Sequence, residues 1–239
     1  MVTIPQDLDE AIEQAKTATR AALAAGYTRL QVELMIPELK VMPIAEQFLP
    51  LFADYGADLK VVFPDAGAAA LARRDWGPMA FEIRGLDEIR ARLRPEDRAI
   101  LVVEPSAVEV KQVQQLCTEA GDRPVVLLNP HLEDVATIGI GYAGRQLRER
   151  FLNTLESCYH FRPLEGAALL RCYPAPWQVW QERDGNYQLL AEMPSKPVGD
   201  ILDQILTNDD GKSSNPLPSQ PSKAGFLTNL ERFLRALNQ

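Results

Sequence analysis

Apolar and polar positions along the first part of the chain follow two different periods. Residues 6–25 repeat apolar side chains near one helical face, and Gly26 is positioned to end that helix. Residues 30–36 alternate apolar and polar side chains, which predicts a strand with one wetter face. A second helix is expected around residues 45–55.

Three short apolar runs come next, and they are rich in valine and do not alternate. Strands that helices cover on both faces of a parallel sheet have this pattern. Helical stretches at residues 68–74 and 107–120 separate the runs and complete a β-α-β-α-β order. We therefore predict an α/β protein with a Rossmann-like layered fold and a mostly parallel central sheet. The three runs are residues 59–63, 99–103 and 125–128.

The pattern changes after a helix that is predicted over residues 146–159. Three later segments have the composition of strands. The last two are joined by Asp184-Gly185, a dipeptide that tolerates the positive φ of a tight hairpin. We expect an antiparallel C-terminal extension of the sheet from residues 167–173, 177–183 and 187–193.

The end of the chain divides into two segments beyond the predicted α/β domain, which we place at residues 1–206. Residues 207–225 hold few apolar side chains and many Pro, Ser and Asn, so we predict a flexible linker. Residues 226–239 carry an apolar stripe at helical spacing, which predicts a C-terminal amphipathic helix. This helix either docks on the domain's own surface or is offered to a partner or a membrane surface.

Composition argues against several classes of function. The formal net charge of −8 does not fit a surface that neutralises nucleic acid. Three cysteines without a C-x-x-C spacing and two histidines do not fit a disulfide framework or a zinc site. No apolar run approaches the roughly 20 residues that a bilayer crossing needs, and the N-terminus lacks the pattern of a signal or transit peptide. We expect a cytoplasmic location, and we predict neither a cofactor nor a metal.

The predicted parallel strands each end beside a proline. Proline cannot extend the hydrogen-bonded ladder, so polar residues are released at the carboxyl end of the strand, where open α/β sheets form their ligand crevice. Asp65, Glu104, Asn129 and His131 could converge at this edge. Alternatively the strands simply end there, and the polar residues cap the helices that follow.

The segment after Phe63 offers a possible anion site. Asp65-Ala66-Gly67 leads into an alanine-rich helix, whose N-terminus could approach a ligand at Gly67, and Arg74 follows towards the other end. The alternative is structural, because Gly67 also permits close packing and Arg74 also complements the helix dipole.

The stretch from Gly139 to Arg150 is the most function-like motif. Gly139, Gly141 and Gly144 formally match the dinucleotide fingerprint, but they lie well past the nearest predicted strand, whereas the fingerprint joins a strand directly to a helix. Arg145 and Arg148 stand at neighbouring helical positions, and guanidinium groups suit carboxylate or phosphate. These arginines either bind an anion or pair with nearby carboxylates.

Four groups of residues occur in a familiar order: Val61–Ala70 with Arg74-Asp75-Trp76; Leu127–Pro130; Gly139-Ile140-Gly141 with Arg148–Phe151; and Arg171–Pro174 with Trp177. Together they resemble a domain-of-unknown-function family of cyanobacteria and chloroplasts that includes the plant low photosystem II accumulation proteins. The resemblance spans roughly residues 5–206. It implies an accessory role in photosystem II biogenesis at the cytoplasmic face of the thylakoid. The implied partners are photosystem assembly intermediates or a thylakoid insertase, with at most peripheral membrane contact.

Two hypotheses about function follow. The first is a non-enzymatic assembly factor that acts by protein–protein interaction, because no complete catalytic constellation is present and the resemblance carries over no catalytic residues. The second is an enzyme or sensor that binds a phosphorylated or carboxylate small molecule at the ends of the parallel strands. Its binding residues would be Asp65, Asn129, Arg145 and Arg148.

Overall fold

The computed structural model describes residues 3–88, 92–133 and 142–208. The chain divides into two compact units. The first, named here the parallel-sheet unit, comprises residues 19–33 and 40–158. The second, named here the meander unit, comprises residues 1–18, 34–39 and 159–239. The segment beyond residue 208, which holds most of the predicted linker and the whole predicted terminal helix, lies outside the described residues.

Helices and strands alternate through the first part of the chain and give way to consecutive strands. The α-helices are α1 (Leu8–Ala24), α2 (Val41–Phe48), α3 (Ala66–Asp75), α4 (Val110–Ala120), α5 (Tyr142–Arg150) and α6 (Asp200–Asn208). The strands are β1 (Arg29–Leu34), β2 (Leu59–Phe63), β3 (Glu82–Gly85), β4 (Ala99–Val103), β5 (Val125–Leu128), β6 (Glu156–Leu164), β7 (Ala167–Cys172), β8 (Trp177–Arg183) and β9 (Asn186–Met193). Two 3₁₀ segments, Leu49–Asp58 and Leu152–Thr154, complete the described elements.

Five parallel strands run in the order β3-β2-β4-β5-β1. The strands β2, β4 and β5 have the predicted bounds, and every residue in them is buried. Register pairs such as Val62 with Val102 and Val103 with Leu128 align the carboxyl ends of neighbouring strands. The predicted layered α/β fold, with parallel strands covered on both faces, is confirmed.

Helices pack against both faces of these strands. The apolar stripe of α4, which includes Val113 and Leu116, joins a buried cluster with Val62, Val102 and Leu127. On the other face, the residue that ends α3, Trp76, places its ring 5.7 Å from the ring of Phe63. The strand residues Val62 and Phe63 are neighbours in sequence and therefore point to opposite faces. Because Phe63 contacts the end of α3 and Val62 packs with α4, the two helices lie on opposite faces of the strands.

A buried ion pair lies among the strands. Lys60 is a β2 residue whose Nζ is 3.3 Å from Asp97 Oδ2, and both side chains are fully buried. Lys60 also donates to the Arg92 carbonyl at 2.7 Å, and the Arg94 N–H donates to Asp97 at 2.8 Å. Burial by itself raises the pKa of the Asp97 carboxyl, but hydrogen bonds from Arg94 and the charge of Lys60 outweigh it and hold that pKa below its ordinary value. A lysine is tolerated inside a fully buried strand because this network neutralises it.

The meander unit contains consecutive antiparallel strands. Strand β7 pairs with β6 and β8, and β8 pairs with β9. Asp184 and Gly185 adopt φ values of 52° and 78° between β8 and β9. The hairpin that the Asp-Gly dipeptide predicts is therefore confirmed. Helix α6 contributes Leu202 to a buried cluster with Leu169, Trp177 and Val179.

The predicted helix over residues 146–159 is wrong beyond Arg150. The helix ends at Arg150, a 3₁₀ turn follows, and β6 begins at Glu156. The extended conformation overrides the helical pattern here, because it buries the alternate residues Tyr159 and Phe161 on one face of the strand, and β6 pairs with β7 from Tyr159 onwards. Strand β3 was not predicted, since only two of its four residues are buried.

Among the described residues, no helix is both long enough and apolar enough to cross a membrane.

Gly85 holds the end of β3 against the turn between β2 and α3. A Cβ at this position would lie 2.4 Å from the Ala66 nitrogen and 2.4 Å from the Asp65 carbonyl carbon. Both are backbone atoms, so the turn cannot move aside as a side chain can. A Cβ at Gly67 would meet only a side-chain atom, Asp65 Oδ1, at 3.0 Å.

We predict that Gly85→Ala destabilises the protein by about 1–3 kcal/mol, the usual cost of overpacking. Gly67→Ala lies at the same turn and is the matched control. Its loss should be smaller, because the Asp65 side chain can shift and alanine favours the helix. Urea denaturation of the three proteins measures the difference. A Gly85→Ala protein as stable as the wild type would contradict the close packing.

Candidate functional site

The carboxyl edge of the parallel strands contains a point where the chain connections diverge. Strand β2 continues through α3 to β3 on one side, whereas the adjacent β4 continues through α4 to β5 on the other side. Such a topological switch point opens a crevice between the two strand ends in α/β sheets. The loops after β2 and β4 line this position, and they contain several of the predicted site residues.

Asp65 stands at the start of α3 and caps the helix. Its backbone is extended, with φ −142° and ψ 169°, and its Oδ1 accepts a hydrogen bond from the Ala68 N–H at 2.8 Å. Gly67 lies in the first turn of α3 beside this carboxylate. The structure thus realises the capping alternative for Asp65.

The loop after β4 begins with Glu104 in the left-handed region, at φ 51°. The Glu104 N–H donates to the Leu128 carbonyl at 2.7 Å, so the ladder between β4 and β5 continues through this residue. Further along, the Ser106 N–H and hydroxyl both donate to Glu109 Oε2, at 2.9 and 2.6 Å. This arrangement places a second carboxylate immediately before α4.

Asn129 ends β5 in the left-handed region as well, at φ 51°. It is 4% exposed, and its N–H donates to the Val32 carbonyl at 2.7 Å. Its Nδ2 lies 3.5 Å from Nε2 of His131, and the His131 N–H donates to the Pro105 carbonyl at 2.8 Å. The prolines therefore do not stop strand association completely, since a parallel bridge pairs Ser106 with His131.

The structure brings Glu104, Asn129 and His131 together. Desolvation raises the pKa of the Glu104 carboxyl, and the charge of His131 opposes this shift. The left-handed conformation of Glu104 is unusual, because it costs such a residue about 1–2 kcal/mol, whereas asparagine adopts it readily. Strain of this kind concentrates at functional positions. The cluster is therefore the strongest feature of the carboxyl edge.

Electrostatics at this edge do not favour an anionic ligand. The N-terminus of a helix attracts negative charge through its free N–H groups. Asp65 occupies that position at α3, and Glu109 lies just ahead of the first turn of α4. An anion would have to displace or approach these carboxylates.

The remaining predicted site residues lie elsewhere. Arg74 is exposed near the end of α3, where its Nε lies 2.6 Å from Asp75 Oδ1. Arg145 and Arg148 lie on α5, the first exposed and the second half-buried. Gly139 and Gly141 lie outside the described residues. Ligand binding by any of these residues stays a prediction.

The described part of the chain contains no cluster of three or more His, Cys, Asp or Glu residues that could hold a metal ion. Its cysteines are free. Burial raises the pKa of the Cys117 thiol to about 11 despite the charge of Arg29, and burial also raises the pKa of Cys172. A thiol with a raised pKa stays protonated and is a poor nucleophile at neutral pH.

Fold and edge together define a layered α/β domain whose parallel strands end in a polar, strained cluster. The chain belongs to the DUF1995 family, described as a domain of unknown function, whose family model matches residues 5–204. This finding confirms that the chain belongs to a domain-of-unknown-function family. No solved structure matches the chain.

The raised pKa of the Glu104 carboxyl predicts a stability effect that depends on pH and is small, because the residue is exposed and solvent screens its charge. A folded pKa above the unfolded value means that the ionised carboxylate opposes folding, and this cost appears as the pH rises through the folded pKa. We expect Glu104→Gln to increase the free energy of unfolding at pH 7. The increase should vanish below the unfolded pKa of about 4.3.

Urea denaturation at several pH values measures this difference. Glu38→Gln is a suitable control, because Glu38 also has a left-handed backbone, with φ 58°. Two results would refute the desolvation of Glu104. The first is a Glu104→Gln protein that is less stable than the wild type at pH 7. The second is a difference in the free energy of unfolding between the two proteins that does not change with pH.

Proposed function

We propose that this protein is a non-enzymatic accessory factor in photosystem II biogenesis, which acts by protein–protein interaction at the cytoplasmic face of the thylakoid. The resemblance of the sequence motifs to low photosystem II accumulation proteins supports a role in photosystem II biogenesis. The DUF1995 family model matches residues 5–204, which include the motifs that carry this resemblance.

A surface of two half-buried aromatic residues and one exposed leucine on the β8–β9 hairpin is the observation that carries the interaction role. Trp180 and Leu189 are cross-strand partners, as are Glu182 and Tyr187. Cross-strand partners and alternate residues share one face of a sheet, so Trp180, Tyr187 and Leu189 form one patch, named here the hairpin patch. Leu189 is 44% exposed, and the two aromatic residues are half-buried. Tryptophan and tyrosine are enriched among the residues that dominate binding energy at protein interfaces.

The hairpin patch is held in a defined geometry. Trp180 Nε1 donates to Gln178 Oε1 at 3.3 Å, and Gln178 Nε2 donates to Glu192 Oε1 at 2.8 Å. These bonds connect the indole to the adjacent strand. A surface that is already ordered loses less conformational entropy when a partner binds.

The backbone of β9 adds a second means of binding. Within the described residues β9 pairs with β8 only, and Glu192 is the single charged residue among its eight. In the parallel-sheet unit, by contrast, Arg73 Nη1 donates to the Ile83 carbonyl and covers the edge strand β3. Edge strands that lack such protection are templates for strand addition by a partner.

The expected partners are photosystem assembly intermediates or a thylakoid insertase. Binding to them would bring the protein to the membrane surface through a protein contact. The ligand hypothesis for the strand ends stays a prediction, and the carboxylates at the starts of α3 and α4 do not favour its anionic form.

Copurification from solubilised cyanobacterial thylakoids tests the proposal. A tagged copy should recover photosystem II assembly intermediates, and Leu189→Lys should reduce their recovery about tenfold, because a buried interface position tolerates a charge poorly. Leu71→Lys is the matched control, since Leu71 is 46% exposed on α3, in the parallel-sheet unit. Recovery of soluble metabolic enzymes alone would contradict the proposal. If both variants reduced the recovery of assembly intermediates equally, the hairpin patch would not be the binding surface.

A further inference from the structure

A cavity of about 470 Å³ lies between the C-terminal end of α3 and the edge strand β3. This volume is within the range of roughly 300–1,000 Å³ that small-molecule sites occupy. The cavity is on the parallel-sheet unit, and it shares no residue with the Glu104–His131 cluster or with the hairpin patch. Its lining residues are Arg73, Gly77, Pro78, Met79, Phe81, Glu82, Ile83 and Arg84.

The lining divides into an apolar wall and a cationic part. Pro78, Met79, Phe81 and Ile83 provide the apolar wall, and the guanidinium groups of Arg73 and Arg84 provide the charge. Glu82 is the one acidic lining residue. Its carboxylate lies 3.3 Å from Arg94, 3.5 Å from Arg84 and 3.9 Å from Lys60. The lining itself holds two arginines and one glutamate, a formal net charge of +1.

Both arginines retain hydrogen-bonding capacity. The guanidinium group has five N–H donors. Arg73 uses Nη1 to donate to the Ile83 carbonyl at 2.7 Å, which fixes the group beside the cavity. The contacts of the Arg84 Nη atoms with Glu82 and Glu88 are long, at 3.5 and 3.7 Å. Arg84 Nε is buried and has no hydrogen-bond partner within the described residues. A buried donor without a partner is rare in folded proteins, and a ligand or water molecule in the cavity could satisfy it after a shift of the Arg84 side chain, because the atom is closed off from solvent.

We propose that this cavity binds a small organic carboxylate with an aromatic or branched apolar body. The carboxylate accepts hydrogen bonds from Arg84 and Arg73, because the planar guanidinium fork matches two carboxylate oxygens. The body packs against Met79 and Phe81. An inorganic anion would satisfy the arginines but leave the apolar wall unused, so the chemistry of the wall selects an amphipathic ligand.

The sequence predicts Arg74 as the binding arginine of α3, but the helix geometry places Arg73 at the cavity. Buried Ala69 and Ala72 mark the side of α3 that faces the sheet, and Arg73 is four residues after Ala69, on the adjoining surface. Arg74 is turned towards solvent and pairs with Asp75. The two arginines are therefore a matched pair, of which one lines the cavity and one does not.

Isothermal titration calorimetry of the full chain with naphthoate tests the proposal. The neutral analogue naphthamide and inorganic phosphate serve as comparison probes. We expect naphthoate to bind and both comparison probes to bind about tenfold more weakly or not at all, given the strength of hydrogen bonds to charged groups. Arg84→Gln and Arg73→Gln should each weaken naphthoate binding about tenfold, whereas Arg74→Gln should leave it unchanged.

Three results would overturn the proposal. The first is no naphthoate binding by the wild type, which would leave only water at Arg84. The second is an equal loss in Arg74→Gln and Arg84→Gln, which would indicate non-specific attraction. The third is binding of phosphate or naphthamide as tight as that of naphthoate. If Arg84→Gln fails to fold by circular dichroism, Phe81→Ala decides, because it removes apolar wall and should weaken naphthoate binding while leaving the arginines in place.

Discussion

Burial of both faces of the parallel strands is the constraint on which the rest of the structure depends. Strands β2, β4 and β5 expose no residue, so their side chains can meet solvent or a ligand only where the strands end. Even Lys60 obeys this constraint, because Asp97 and the Arg92 carbonyl satisfy its ammonium group inside the protein. The helices α3 and α4 cover opposite faces, and their divergence creates the switch point between β2 and β4. The candidate ligand positions in the described part of the parallel-sheet unit are consequently the strand ends and the cavity beside β3.

Much of this framework could be predicted from the sequence, because valine-rich runs without alternation have few other structural explanations. The observed bounds of β2, β4 and β5 are those predicted, and the predicted hairpin at Asp184-Gly185 is present. Strand β6 was missed, because its burial depends on pairing with β7 rather than on a local pattern. At the carboxyl edge, the polar residues beside the prolines could be identified. The left-handed backbone of Glu104 could not, since glutamate has no preference for that region. The choice between Arg73 and Arg74 required the helix phase that Ala69 and Ala72 reveal.

Three surfaces stand out among the residues that the structure describes. The carboxyl edge holds a desolvated carboxyl next to an imidazole, and its helix starts already contain carboxylates. The cavity beside β3 is the cationic surface, and it has an apolar wall. The hairpin patch is aromatic, lies in the meander unit and adjoins an edge strand. The ordered aromatic patch is the feature that fits the proposed interaction role, and the cavity offers a means by which a small carboxylate could bias that interaction.

Site-specific photo-crosslinking tests the central claim most directly. A photoreactive amino acid at position 189, introduced into the protein in living cyanobacterial cells, reports what touches the hairpin patch. The same group at position 71, an equally exposed leucine position on α3, reports random encounters. The account predicts crosslinks to photosystem II assembly components from position 189 and none from position 71. Identical crosslinking patterns from the two positions, or no crosslink to a thylakoid protein from position 189, would contradict it.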